Sequence, residues 1–371
     1  MQPNRKGGRV TVYQWLGLTL ALVFFTVMLG GGFTGNLSVF QSETLPTPIS
    51  SENPFSLVSL HKRLDAKAIQ RVQNFVHYYS RTTRVGFEGS LARSTRYVEA
   101  FRRIFRQKGL PEELAYLPLI ESGFQEHAVS NANAVGVWQF IDSTGSRFNL
   151  KRTEYTDAKR DPIASAEAAA AYFQYLHRMF GNWEMALAAY NAGEGTIRRA
   201  IRENQKAGKP TGYWSLDLPA ETQGYVPAFL ASMIIAKNPG AFGFHRIDFQ
   251  PAMAFDQIKV HPGTRLSALA DQLELSLSDL LELNPELLAG VVPPDGGIYH
   301  LKIPRGLKRS LAQRIGAIQP KQDWMLYPAG PNQTVSEVAA TLRKPSKPIQ
   351  QLNRLSGDSP VAPGRLLIIP L

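Results

Sequence analysis

Apolar side chains return every three or four residues over two early stretches, Ile69, Val72, Phe75, Val76 and Tyr79, then Val98, Phe101, Ile104 and Phe105. That period predicts two amphipathic helices. A third is expected from Pro111 to about Ile120, opened by a proline and by Glu112 and Glu113, which suit a helix N-terminus. Asp161-Pro162 is a cap-and-start signal for an Ala-rich helix to about Phe180, and Asn182 caps another that runs into "ALAAYNAGEG". Alternation of the strand type is scarce between residues 55 and 240. An all-helical domain is expected over residues 57–245.

Past residue 250 the pattern changes and repeats. Leu266, Ser267, Leu269 and Ala270 match Val335, Ser336, Val338 and Ala339, and the same offset carries "LELN", ending at Asn284, onto "QQLN", ending at Asn353. "LKIP" at Leu301 to Pro304 then matches "IIP" at Ile368 to Pro370 with only the loop length changed. Each unit, 250–306 and 322–371, reads as strand, two short helices, strand. The fold class is therefore mostly α, a helical domain followed by two small α+β (βααβ) units, and small repeated units are commonly binding modules.

The N-terminus adds a location. Arg5, Lys6 and Arg9 precede an uncharged stretch from Val10 to Ser42 with an apolar centre at Trp15 to Leu29. Residues 1–40 read as a membrane anchor or secretory signal; about 20 apolar residues suffice to span, and the small-residue cleavage pattern is weak, which favours an anchor. Residues 41–56, rich in Ser, Thr and Pro, read as a tether. The working part would lie outside the cytoplasm, at the periplasmic face of the inner membrane, or in the periplasm if the segment is cleaved.

Composition narrows the chemistry. The chain has 371 residues, 44% hydrophobic and 19% charged, with 41 Lys plus Arg against 30 Asp plus Glu and a formal charge of +11. So basic a surface attracts polyanions, and export turns that from nucleic acid toward anionic lipid or a carboxylate-bearing wall polymer. There is no cysteine, which excludes disulfides and thiolate chemistry. The seven histidines are scattered, and no Gly-rich phosphate loop is present, so no metal and no cofactor is expected.

In "LPLIESGF" a carboxylate, Glu121, follows Leu117, Leu119 and Ile120 at a point where Ser122-Gly123 ends the helix. Burial among apolar neighbours disfavours the charged form and raises the pKa, as required of an acid that protonates a glycosidic oxygen near neutrality. Downstream, "NAVGVWQF" sets Gln139 between Trp138 and Phe140, and "LAAYNAGEG" sets Tyr190 and Asn191 at a helix end. Aromatic faces suit sugar rings, and amides suit hydroxyls and acetamides. Taken singly, Gln139 reads as a capped core polar residue, Tyr190 as a core aromatic and the glycines as turns.

The order "ESGF", "AVGVWQF", "ALAAYNAG", "ETQGYVPAFLA" resembles the catalytic domain of the lytic transglycosylases of the soluble-transglycosylase, goose-lysozyme-like superfamily, nearest the membrane-bound type D group. The resemblance covers about residues 70–240. It implies a lysozyme-like fold and marks Glu121 as the single catalytic acid, with Ser122 beside it. The Gly-x-x-Gln element falls on Gly136 and Gln139, Ala-Tyr-Asn-Ala-Gly on Ala189 to Gly193, and the tyrosine after Glu221-Thr222 is Tyr225. The C-terminal units resemble LysM modules, which bind N-acetylglucosamine polymers, although both lack the usual Gly-Asp-Thr opening.

The resemblance implies peptidoglycan glycan strands as the substrate. Glu121 would protonate the bond between N-acetylmuramic acid and N-acetylglucosamine, and then, as a base, activate the sugar's 6-hydroxyl to leave a 1,6-anhydro end. Ser122 would orient the acid or the acetamide, and Gln139, Tyr190, Asn191 and Tyr225 would hold the glycan. Glu126, Asp142 and Asp157 carry no motif of a second catalytic acid, which two-carboxylate hydrolysis needs. Two rivals are a lysozyme-type hydrolase of the same bond and a catalytically weak peptidoglycan-binding scaffold.

Overall fold

The computed structural model describes residues 53–56, 60, 63–294, 297–309, 311, 324–353, 355 and 357–370. The expected anchor at 1–40 and the tether up to residue 52 lie outside them. No helix among the described residues is long and apolar enough to cross a membrane.

Helix α1 (Ala66–His77) is capped by Asp65, whose carboxylate accepts from the Ala68 amide at 2.8 Å, and passes through a widened turn at Tyr78–Thr82 into α2 (Arg84–Gln107). Of the apolar stripes expected from the sequence, Val72, Tyr79, Phe101, Ile104 and Phe105 are buried, while Phe75, Val76 and Val98 pack half-covered against the same core. The next segment differs from expectation. Instead of one helix over residues 111–120 there is a tight 3-10 turn, Glu112–Tyr116, then a separate four-residue helix α3, Pro118–Glu121. Pro118 sits at the break: it has no N–H for the carbonyl of Leu114, which accepts from Leu117 instead, and its ring suits the first turn of a new helix.

Short α4 (Asp142–Arg147) follows a looped segment, then α5 (Pro162–Phe180), α6 (Trp183–Ala192), α7 (Glu194–Lys206) and α8 (Ala220–Lys237) complete the helical body. Asp161 caps α5 by accepting from Ile163 and Ala164, and Asn182 caps α6 by accepting from Met185, as their positions predict. Helix α8 is apolar on nearly every face and runs through the interior, with Val226, Phe229, Ala231 and Ile235 fully covered. Alanines at 166, 169, 170, 186, 188 and 189 keep α5 and α6 close, and an aromatic column of Tyr97, Phe101, Phe124, Trp138 and Phe105 fills the space beside them.

Two small units follow. In the first, β1 (Phe255–Val260) pairs antiparallel with β2 (Tyr299–Pro304) around α9 (Leu266–Leu273) and α10 (Leu277–Leu283). In the second, β3 (Trp324–Pro328) pairs antiparallel with β4 (Leu366–Pro370) around α11 (Val335–Leu342) and α12 (Ser346–Leu352).

The repeated asparagines explain the repeat. Asn284 donates to Leu280 O at 2.7 Å and Lys302 O at 2.8 Å while accepting from Lys302 N at 3.0 Å, which ties the end of α10 to the closing strand. Asn353 does the same with Ile349 O and with both backbone groups of Ile368. Both side chains are buried, so truncation strands several polar groups away from water. Asn284→Ala should lower stability by about 1–3 kcal/mol, read from a denaturant melt.

Candidate active site

Glu121 is the last residue of α3, and the chain reverses directly after it. The amides of Ser122 and Phe124 both donate to Pro118 O, and Gly123 and Phe124 take left-handed backbone conformations in succession (φ 59° and 62°). A β-carbon on Gly123 would lie 2.6 Å from Ser90 Oγ, so the bend requires glycine for space as well as for φ. Arg93 on α2 donates from Nε to Gly123 O at 2.6 Å, and the Phe124 ring packs against both Tyr97 and Phe101. The apolar run before Glu121 thus anchors the turn and leaves the acid half-buried at its edge.

The electrostatics follow from that placement. Burial pushes the Glu121 carboxyl up to about 7, a hydrogen bond from Tyr225 opposes the rise, and the charge of Glu221 adds to it. The Tyr225 hydroxyl donates to Glu121 Oε1. Burial and the neighbouring charge of Glu121 hold both Tyr225 and Tyr190 well above the ordinary tyrosine value, so both hydroxyls remain donors.

The turn of α8 that carries Tyr225 contains a defect. Pro227 lies inside that helix and has no N–H for the carbonyl of Gln223, four residues earlier. Gln223 O accepts instead from Arg71 Nη2 and from the Tyr213 hydroxyl, both at 2.6 Å. These two residues, which carry no motif, fix the turn of α8 that delivers Tyr225.

The other expected site residues form one connected frame. Ser122 Oγ donates to Val137 O at 2.8 Å and accepts from Gln125 N, so it ties the acid's turn to the "GVWQ" loop rather than touching Glu121 itself. The Tyr190 hydroxyl donates to Trp138 O at 2.8 Å, while its ring stacks on Phe173. Gln139 has a left-handed backbone (φ 50°), and its amide nitrogen is spent on Gly136 O at 2.8 Å and Ala128 O at 3.4 Å. Asn191 donates to Glu221 Oε1 at 3.2 Å and accepts from Thr222 Oγ1 at 2.8 Å. Beneath the loop, Gly136 (φ 82°) sits against Lys159, whose carbonyl oxygen would be 2.0 Å from any β-carbon there.

The acids set aside in the sequence are occupied: Glu126 accepts from the Tyr97 hydroxyl, and Asp142 and Asp157 both pair with the fully buried Lys159. Glu221 is the carboxylate whose charge reaches Glu121, and its distance in sequence hid it. No group of three or more His, Asp or Glu side chains among the described residues is arranged to hold a metal ion.

A helical body that lifts one desolvated carboxyl to the end of a short helix, under a tyrosine, has the architecture of a lysozyme-like domain. Residues 100–211 match the transglycosylase SLT domain, and residues 254–319 match the LysM-like domain of lytic transglycosylase MltD. Residues 100–211 are therefore an SLT transglycosylase domain, and residues 254–319 an MltD-type LysM-like domain.

Among curated proteins, the chain is similar to membrane-bound lytic murein transglycosylase D of Escherichia coli (strain K12), 36% identical over 277 residues, which are 71% of this chain and 61% of that protein. It is also similar to membrane-bound lytic murein transglycosylase C of Histophilus somni (strain 2336), 25% identical over 216 residues, 49% of this chain and 58% of the other. A third likeness is to soluble lytic murein transglycosylase of Escherichia coli (strain K12), 28% identical over 143 residues, 36% of this chain and 22% of that protein. The chain thus spans less than two thirds of the relatives it matches.

Proposed function

We propose that this protein is a lytic murein transglycosylase of the cell envelope, cleaving the β-1,4 bond between N-acetylmuramic acid and N-acetylglucosamine to leave 1,6-anhydro ends. Residues 57–245 are the catalytic domain, residues 250–306 and 322–371 are LysM-like modules, and residues 1–40 hold the chain at the periplasmic face of the inner membrane or direct it into the periplasm. The observation that carries the reading is the half-buried Glu121, pushed up to about 7 and hydrogen-bonded by Tyr225.

A carboxyl poised there is protonated often enough to give up its proton and basic enough to take one back. Glu121 protonates the glycosidic oxygen; as that bond breaks, the acetamide oxygen of the muramic residue closes on C1. The carboxylate, held by Tyr225, then removes the proton from the 6-hydroxyl, and O6 displaces the acetamide oxygen at C1. Glu121 ends protonated, and no water is consumed. Ser122, Gln139, Tyr190, Asn191 and Tyr225 hold the glycan and keep the acid's turn in register. Digestion of purified murein sacculi followed by mass spectrometry tests this directly: anhydro ends support it, whereas reducing ends point to hydrolysis with Glu221 activating water.

Two substitutions should move the basic limb of the kcat/KM profile in opposite directions. The limb reports loss of the acid form of Glu121. Tyr225→Phe removes a hydrogen bond that favours the carboxylate, so the limb moves to higher pH, with a rate loss of about tenfold from the weakened hold on developing charge. Glu221→Gln removes a repelling charge, so the limb moves to lower pH. Shifts of the same sign in both variants would contradict the assignment.

A further inference from the structure

The first LysM-like unit is joined to the helical body by more than its connecting chain. Its Lys302, on β2, is 4% exposed. The ammonium reaches Asp161 Oδ2 of the helical body at 2.7 Å and Glu286 Oε1 of its own unit at 3.1 Å, while the Tyr299 hydroxyl donates to the same Glu286 oxygen at 2.8 Å. The other oxygen of Asp161 caps α5. A charge this deeply covered is costly to desolvate unless partners surround it, and the partners come from both sides of the junction.

Backbone pairing runs alongside. Asp157 N donates to Glu286 O at 2.9 Å and Leu288 N to Tyr155 O at 2.8 Å, a short antiparallel bridge centred on Thr156 and Leu287. Tyr155 is buried with Val291, Trp324 and Ile368, and its hydroxyl donates to Asn353 Oδ1 at 3.0 Å, which brings the second unit to the same shelf. Arg96 of α2 pairs with Glu282 at 2.7 Å.

The shelf gripped in this way, residues 155–161, is the floor of the site. It contains Lys159, which pairs with Asp157 at 2.8 Å and whose carbonyl abuts Gly136. Gly136 opens the loop whose carbonyls at Val137 and Trp138 receive Ser122 and Tyr190. We propose that the first LysM-like unit is a fixed brace of the catalytic loop rather than a swinging glycan tether, and that Lys302 is its positioning residue, acting through Asp161 and the 155–161 shelf on Gly136 to Gln139. The catalytic consequence rests on the Glu121 reading; the mechanical claim does not.

The test uses the full chain with Lys302→Met and, because that change leaves two acids facing each other, the double variant Lys302→Met/Glu286→Gln, which also serves if the single variant does not fold. Hydrogen exchange is followed by mass spectrometry for residues 134–140, with residues 226–235 as an internal control. Kinetics are measured on a soluble tetrasaccharide of alternating N-acetylglucosamine and N-acetylmuramic acid, and pelleting with sacculi measures binding. The brace predicts exchange at least about tenfold faster in 134–140 with the control unchanged, kcat down about tenfold with KM held, and unchanged pelleting; Lys302→Arg should restore part of both. Unaltered exchange in 134–140 overturns the proposal, as does a loss confined to KM and pelleting. A parent enzyme inactive on every glycan would defeat the transglycosylase reading, while the exchange result would still decide the brace.

Discussion

Glu121→Gln should reduce muropeptide release from sacculi by about 10²–10⁴-fold, the range a positioned acid and base contributes, while leaving the fold intact. The amide is nearly isosteric and its carbonyl can still accept from Tyr225, so the bend at Ser122 to Phe124 has no reason to move. Stability provides a second, independent readout. In the unfolded chain the carboxyl titrates near the ordinary glutamate value, about 4.3, and in the folded protein near 7. Between those values the folded state keeps a proton that the unfolded state releases. The parent therefore loses stability as pH rises through that window, and the glutamine variant does not. Melting temperatures from pH 4 to 8 should diverge in the variant's favour. A folded variant that retains activity within tenfold of the parent would remove Glu121 from its role.

Much of this was legible because it is local. Asp161-Pro162 and Asn182 announce helix starts through hydrogen bonds that span only three residues, and the paired asparagines of the repeat mark where each small unit closes on itself. Glu121 stood out because an acid broke an apolar run. The split of the segment 111–121 also has a local signal, since Pro118 has no N–H for a helical bond back to Leu114, whereas the acidic first turn points to one long element.

What escaped was set by distance along the chain. Arg71, Arg93, Lys159 and Lys302 look like solvated charges on helices, turns and strands, and only the tertiary fold turns their side chains inward. Each reaches an acceptor with bonding capacity left over: Gln223 O opened by Pro227, Gly123 O at the reversal, and the carboxylates of Asp157 and Asp161, which also cap their own turns. A buried cation in such a place is predictable only once the orphaned acceptor is known. Ser122, expected to orient the acid or the acetamide, bonds the loop opposite, which makes the acid's turn and the Gly136 turn one mechanical unit.

That unit makes Gly136→Ala the most damaging of the conservative changes outside the acid itself. Two costs add there. The left-handed φ of 82° strains any residue with a β-carbon, and the new carbon would lie 2.0 Å from the Lys159 carbonyl oxygen. That oxygen cannot retreat easily, because Lys159 is pinned by Asp157 and Asp142 and the shelf behind it is bonded to the first LysM-like unit. The loop must yield instead, carrying Val137 O away from Ser122 and Trp138 O away from Tyr190. Together these should cost about 3 kcal/mol or more, with activity falling at least about a hundredfold in the molecules that remain folded. Gly181→Ala is the control, since its φ is 63° but nothing lies within 4 Å of a β-carbon there. It carries the backbone strain alone, about 1–2 kcal/mol, and should leave kcat unchanged. Equal losses in the two variants, read from denaturant melts and rates on sacculi, would mean that the Lys159 contact gives way freely and that the loop is not held from below.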